Sequence, residues 1–239
     1  LSITLELPTQ QSLERLAPEK NGASIEAAMG QMEERIAEAE AEGRRFAPAG
    51  QSTQLIVGAD DTTDASILQK SASLYDRYKL KRIYYSAFSP IPEPSRILPL
   101  KPPPLQRENR LSQADWLVRQ YGFKAEEIGA GSNDGMLDLE IDPKLAWALK
   151  HRHLFPVDIN KADREMLLRV PGLGVRAVDR IVAARRHRTL RLDDLARLSA
   201  HGKRFRLFVT TADHHPGPEI DSADLRHRLA KAPEQIPLF

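Results

Sequence analysis

The chain has 239 residues, 41% of them hydrophobic, with 35 Lys and Arg against 33 Asp and Glu and a formal net charge of +2. That length holds one large domain or two ordinary ones, and the composition is that of a globular protein. It contains no cysteine, which excludes disulfides, thiolate catalysis, cysteine-ligated zinc and any iron–sulfur cluster held by this chain alone.

No run approaches the roughly 18 consecutive apolar residues of a membrane span, and no signal peptide opens the chain. A cytoplasmic location is therefore the default expectation. The charge is uneven. Residues 1–150 carry −4, residues 151–208 carry +8 and residues 209–239 carry −2.

LSITLEL at 1–7 alternates apolar and polar residues and predicts a strand. A strand with no preceding turn is expected in the middle of a fold, so the sequence reads as a fragment or as a protein that has lost its front half. Pro8 and Pro18 bracket a short helical turn. A helix follows with Ile25, Met29, Met32 and Ile36 on one face, and Gly43 as its stop. TQLIVG (53–58) predicts a buried strand. Asp61 or Thr62 then caps a helix carrying Ile67, Leu68, Leu74, Tyr75 and Tyr78. KRIYYSAF (81–88) predicts the next strand. Strands alternating with helices imply parallel βαβ units, here the back half of a partial barrel.

Ligands in such folds bind beyond the carboxyl ends of the strands. Those ends carry Glu6, Gly58, Asp60, Asp61 and Ser86. Turn and cap chemistry alone also explains them. Residues 90–104 hold seven prolines and predict an extended surface arm. Helical periodicity returns at 105–123, with Leu111, Trp116, Leu117 and Tyr121 as core candidates. Asp142 and Pro143 start another helix, in which Leu145, Trp147, Ala148 and Leu149 are packing groups.

Asn160 is expected to cap a helix with Met166, Leu167 and Val170 on its apolar face. Pro171, Gly172, Leu173 and Gly174 then turn the chain. A second helix follows with Ala177, Val178, Ile181 and Val182 inward, and Asp193 and Asp194 start a third. The basic excess surrounds this turn and points to a polyanionic partner, nucleic acid first. His151, His153, His214 and His215 lack metal-ligand spacing and read as surface or cap residues.

The pattern Pro171, Gly172, Leu173, Gly174 and Ala177 resembles the helix-hairpin-helix motif, and the preceding INKADREMLLRV is similar to its competence-receptor type. Glycines allow turn geometry and close ligand approach, and a helix N-terminus favours an anion. Residues Gly172, Leu173, Gly174, Val175 and Arg176 are thus expected to meet DNA phosphate, with Arg169, Arg185, Arg186, Arg188 and Arg191 supplying the field. Binding is expected to be sequence-independent and salt-sensitive. The alternative is a hairpin that only packs on a neighbouring domain.

Six stretches in order, at 5–20, 46–59, 78–92, 110–123, 137–151 and the hairpin, resemble the DNA modification/repair radical S-adenosylmethionine proteins. Their genes are typically linked to one for a uracil-DNA-glycosylase-like protein. The resemblance implies α/β architecture, the C-terminal part of a partial radical-SAM-type (β/α) barrel followed by an all-α helix-hairpin-helix domain. It implies a barrel part at 1–104 with its Pro-rich arm, a helical connector at 105–155, the helix-hairpin-helix at 156–208 and a flexible tail at 209–239. It also implies S-adenosylmethionine and a [4Fe–4S] cluster for the complete protein, the cluster being held by an upstream three-cysteine loop. This chain lacks those cysteines and is expected to be inactive alone. The superfamily's adenine-abutting strand motif maps onto Ile56, Gly58 and Asp61, with Gln54 departing from it, and Glu6 is placed like a ribose contact. Tyr84, Tyr85 and Ser86 are placed to close the adenine side.

The chain ends in QIPLF. Gln235, Ile236, Leu238 and Phe239 resemble the bacterial sliding-clamp-binding pentapeptide, whose apolar anchors dock from a flexible tether. The alternative function is a non-catalytic scaffold that binds DNA or protein through the hairpin.

Overall fold

A computed structural model describes residues 1–91, 97–129, 134–198 and 204–230. It is mixed α/β and helix-rich, with small sheets. The chain divides into two compact units, one of residues 1–115 and 125–139, the other of residues 116–124 and 140–239.

The first unit opens with residues that pair with β1 (Ser52–Val57) only at isolated parallel bridges, Ser2 with Ser52 and Glu6 with Leu55. The expected continuous strand is interrupted for a local reason. Leu5 N–H donates to the Thr53 hydroxyl at 3.0 Å, and that hydroxyl donates to Ile3 O at 2.6 Å. A side chain thus stands where a backbone ladder bond would run. Glu6 then takes the left-handed region, with φ 67°.

Helix α1 (Gln10–Leu16) is capped by the Thr9 side chain, and α2 (Gly22–Ala41) by Asn21. Of the apolar face expected for α2, Met29 is buried and Ile25, Met32 and Ile36 are partly covered. Gly43 follows the helix at φ 66°. Helix α3 (Asp64–Tyr78) is capped by Thr63, one residue beyond the expected Asp61 or Thr62. Asp60 instead turns the chain by accepting Thr62 N–H at 3.0 Å.

Strand β2 (Arg82–Ala87) pairs parallel with β1 over the full length of both, from Ser52 opposite Arg82 to Val57 opposite Ala87. The two strands and the helix between them form the expected parallel βαβ unit. Leu55, Val57, Ile83 and Tyr85 are buried on one sheet face. Tyr85 and Tyr75 meet Asp115, and Tyr85 also donates to Ser71 of α3. The other face is more open: Tyr84 is 49% exposed beneath Arg82. On the far side of β2 from β1, Ile83 N–H goes to Tyr75 Oη at 2.9 Å and Ala87 N–H to the Glu108 carboxylate at 2.9 Å.

Helix α4 (Leu105–Tyr121) contains the division between the units. Arg107, Arg110, Leu111, Ala114 and Leu117 make its buried stripe. Trp116 lies off that stripe and is 49% exposed, with Arg119 against its ring, so it is not the core residue expected. Helix α5 (Ala125–Gly129) packs on α3.

The second unit contains α6 (Pro143–Lys150), capped by Asp142 with Pro at its first turn, as the sequence predicts. Helix α7 (Arg164–Arg169) is capped by Asp163, not Asn160. Asn160 is spent elsewhere: its amide donates to Leu190 O and accepts Leu190 N–H, tying the start of α7 to the loop before α9 (Leu192–Leu198). Between them lies α8 (Val175–Ala184), with Ala177, Val178 and Ile181 buried and Val182 partly covered.

The unit is not all-α. Strands β3 (Val157–Asp158) and β4 (Val209–Thr210) pair in parallel. Nor does residue 209 begin a loose tail. A 3₁₀ turn spans Gly217–Asp221 and α10 spans Leu225–Ala230, with Ile220, Leu225 and Leu229 buried. Composition misled here because Pro216 and Pro218 precede these three apolar anchors and charged, exposed residues lie between them. The clamp-like Gln235, Leu238 and Phe239 lie outside the described residues, as do residues 92–96 of the proline arm.

Candidate nucleic-acid interface

Helices α7 and α8 pack on each other and are joined by a five-residue turn. Val170 and Leu173 are buried and anchor the turn from inside, and Leu173 N–H bonds to Val170 O at 3.2 Å. Gly172 has φ 85°, where a side chain would be strained. Gly174 is the N-cap of α8 at φ −89°, and makes no side-chain cap bond because it has no side chain.

An uncapped N-terminus leaves backbone donors to be accounted for. Tyr121, the last residue of α4, takes one: its hydroxyl accepts Val175 N–H, and the Trp116 side chain bonds to it as well. Burial pushes that hydroxyl above the usual tyrosine range, although both hydrogen bonds oppose the rise. Among the described residues, the N–H groups of Gly174, Arg176 and Ala177 have no hydrogen-bond partner. They sit at the positive end of the α8 dipole.

Arg176 is exposed one residue into the helix, and Arg180 is exposed one turn further on. The other arginines divide. Arg186 and Arg191 are exposed. Arg188 pairs with Asp194 at 2.6 Å. Arg169 lies over the rings of Phe123 and Trp147 at 4.8 and 5.5 Å. Arg185 turns inward, its Nη1 donating to Ile159 O at 3.0 Å and Ala162 O at 2.6 Å. It closes the base of the helix pair rather than supplying surface charge.

Searches against family models, curated proteins and solved structures found no match. The geometry therefore stands by itself.

The second set of candidate residues lies in the first unit. Ile56 lies in β1 and Gly58 just beyond its end, and Ile56 N–H donates to Glu6 O at 2.6 Å, so Ile56 and Glu6 are neighbours. Asp61 is exposed beyond the strand end. Gln54 donates to Ser86 Oγ at 3.0 Å, and Tyr84 is on the same open face, whereas Tyr85 points to the buried one. The Glu6 carboxylate pairs with Lys20.

Gly58 has φ 81°, and a Cβ there would be 2.7 Å from Pro103 Cβ and Cγ. The proline ring is seated directly on the glycine. An adenine could not approach Gly58 from that side, so Gly58 as it stands does not abut one there. A groove of about 300 Å³ in the same unit is lined by Leu5, Leu7, Leu13, Glu26 and Lys70, not by Gly58 or Asp61. No group of three or more His, Cys, Asp or Glu among the described residues could hold a metal. Among the described residues, no helix is long and apolar enough to cross a membrane.

Sequence reading missed Lys144 and the role of Tyr121. Lys144 is 8% exposed, and its Nζ donates to Leu173 O at 2.6 Å. One signal was available. In PKLAWALK the lysine stands three and four residues before Trp147 and Ala148, on the helix's apolar face.

Proposed function

We propose that the turn from Gly172 to Arg176 holds the phosphate backbone of DNA without reading its bases. The observation that carries this is the set of unpartnered N–H groups of Gly174, Arg176 and Ala177 at the start of α8, beside exposed Arg176 and Arg180. Aligned backbone donors at a helix N-terminus suit a phosphate oxygen, and an arginine beside them adds a charge-assisted bond. The block from 151 to 208, at +8, supplies the long-range attraction. We read α7, the turn and α8 as a helix-hairpin-helix unit.

The wider reading is that the chain is the C-terminal portion of a radical S-adenosylmethionine protein of DNA modification or repair, with β1 and β2 belonging to its partial barrel. Sequence resemblance supports this, and the parallel βαβ unit is compatible with it. Any cluster and cleavage of S-adenosylmethionine would belong to other residues, since this chain has no cysteine. Pro103 on Gly58 favours the second reading, a DNA-holding module whose binding needs neither iron nor S-adenosylmethionine. A uracil-DNA-glycosylase-like protein and the sliding clamp, the latter through Gln235, Leu238 and Phe239, are proposed partners on sequence grounds alone.

The test is fluorescence anisotropy with labelled duplexes of unrelated sequence, titrated over NaCl without iron or cofactor. Binding should be equal across sequences and fall steeply with salt. Arg176→Ala should weaken it and reduce the salt slope by about one. Gly174→Val, whose branched side chain would press on the Tyr121 hydroxyl behind the turn and displace the backbone donors, should weaken it about tenfold. Wild-type affinity in both variants, or binding indifferent to salt, would refute the reading.

A further inference from the structure

The turn is held from behind by two side chains that act on adjacent peptide units. Lys144 Nζ donates to Leu173 O at 2.6 Å. Tyr121 Oη accepts Val175 N–H, two residues along. The lysine also lies over the tyrosine ring, with Nζ 4.6 Å from the centroid. The two therefore clamp the backbone on either side of Gly174 and fix the direction in which its remaining N–H groups point. Gly174 itself rests 3.6 Å from the Tyr121 hydroxyl, measured from where its Cβ would be.

We propose that Lys144 is the positioning residue of the phosphate site, and that its buried ammonium couples DNA binding to proton uptake. This rests on the reading of the turn as the DNA contact.

The groups facing Lys144 are few. The Leu173 carbonyl is its hydrogen-bond acceptor, and the Tyr121 ring covers it from α4. Among the described residues, the one carboxylate acting on it is Asp142, which is already engaged with Leu145 N–H at 2.9 Å and Arg204 at 3.2 Å. Burial dominates, with Asp142 opposing it only in part, and the lysine falls to about 7. An ammonium so poorly compensated is stabilised by any anion brought near. A phosphate on the outer face of the turn is such an anion, separated from Nζ by the Leu173–Gly174 backbone. Binding therefore favours the protonated lysine, and by linkage the protonated lysine favours binding.

The experiment follows the ¹³Cε and Hε resonances of Lys144 by NMR through a pH titration, with and without saturating duplex DNA. The midpoint should move upward in the complex. Each unit of that shift is a tenfold fall in affinity as pH rises across the titration. Anisotropy from pH 6 to 9 at fixed salt should show the same fall in wild type and in a His187→Gln control, which removes the exposed histidine after α8. It should be absent from Lys144→Met. Tyr121→Phe keeps the ring but loses the acceptor for Val175 N–H. It should bind more weakly while keeping the pH dependence, and it serves if Lys144→Met does not fold.

A lysine midpoint that DNA leaves unmoved overturns the proposal. If Gly174→Val and Arg176→Ala also bind like wild type, the underlying reading of the turn has failed. If they bind weakly while Lys144 is unmoved, only the coupling has failed.

Discussion

Arg107 and Asp64 stand 43 residues apart and meet at 2.7 Å, with the Asp64 side chain wholly removed from solvent. Asp64 also accepts Leu137 N–H, and Arg107 donates to Thr62 O, so one buried pair joins α3, α4 and the segment after α5. Removing one partner of such a pair leaves the other buried without compensation. Arg107→Ala should cost about 3–5 kcal/mol of stability by urea unfolding. A loss below about 1 kcal/mol would mean that water reaches Asp64.

Lys144 gives a pH dependence with a definite sign. Its folded value, about 7, lies below the ordinary 10.5. Below pH 7 it is charged in both states, and the cost of burying the charge is fully present. Between pH 7 and 10.5 the unfolded chain holds the proton and the folded one does not, so this group makes stability rise with pH. The slope can reach about 1.4 kcal/mol per pH unit. Urea midpoints of wild type minus Lys144→Met, measured from pH 6.5 to 9, should show that rise; a flat difference would contradict it.

The two glycines of the turn should respond differently to alanine. Gly172 at φ 85° must be forced into a conformation that L-residues resist, costing about 1 kcal/mol or more. Gly174 at φ −89° has ordinary van der Waals room, and Gly174→Ala should change stability by less than about 1 kcal/mol. Thermal unfolding of the two variants side by side decides this, and equal losses would contradict the assignment.

Arg185 and Arg186 are adjacent and should separate by function. Arg185 donates to two backbone carbonyls, so Arg185→Met should cost about 2–3 kcal/mol of stability. The exposed Arg186→Ala should leave stability within about 0.5 kcal/mol and lower DNA affinity. Stability measured by denaturant and affinity by anisotropy give the comparison, and the reverse pattern would place Arg185 on the surface.

What could be read from the sequence was mostly local. Asp142 with Pro143 starts α6 because cap and first-turn chemistry lie within three residues of each other. Both strands and the helix between them follow from short-range patterning. Asn160 failed because two capping acceptors, Asn160 and Asp163, compete for one helix start. The winner depends on Leu190, 30 residues away. Trp116 failed because helical spacing admits two adjacent stripes, and the choice between them is made by what packs on α4. The clamp on the turn was illegible for the same reason. Lys144 and Leu173 are 29 residues apart, and nothing in either neighbourhood names the other.

The side chains that occupy two outer N–H groups of β2, those of Ile83 and Ala87, have a consequence for how this protein behaves at high concentration. An unguarded terminal strand is a template on which a second molecule can add its own strand. Here an incoming strand would find Ile83 already bonded to Tyr75 and Ala87 to Glu108, with a carboxylate set against its approach. With two of its outer donors taken, β2 is a poorer template for growth of the sheet, the first step toward ordered aggregates, than a bare edge would be.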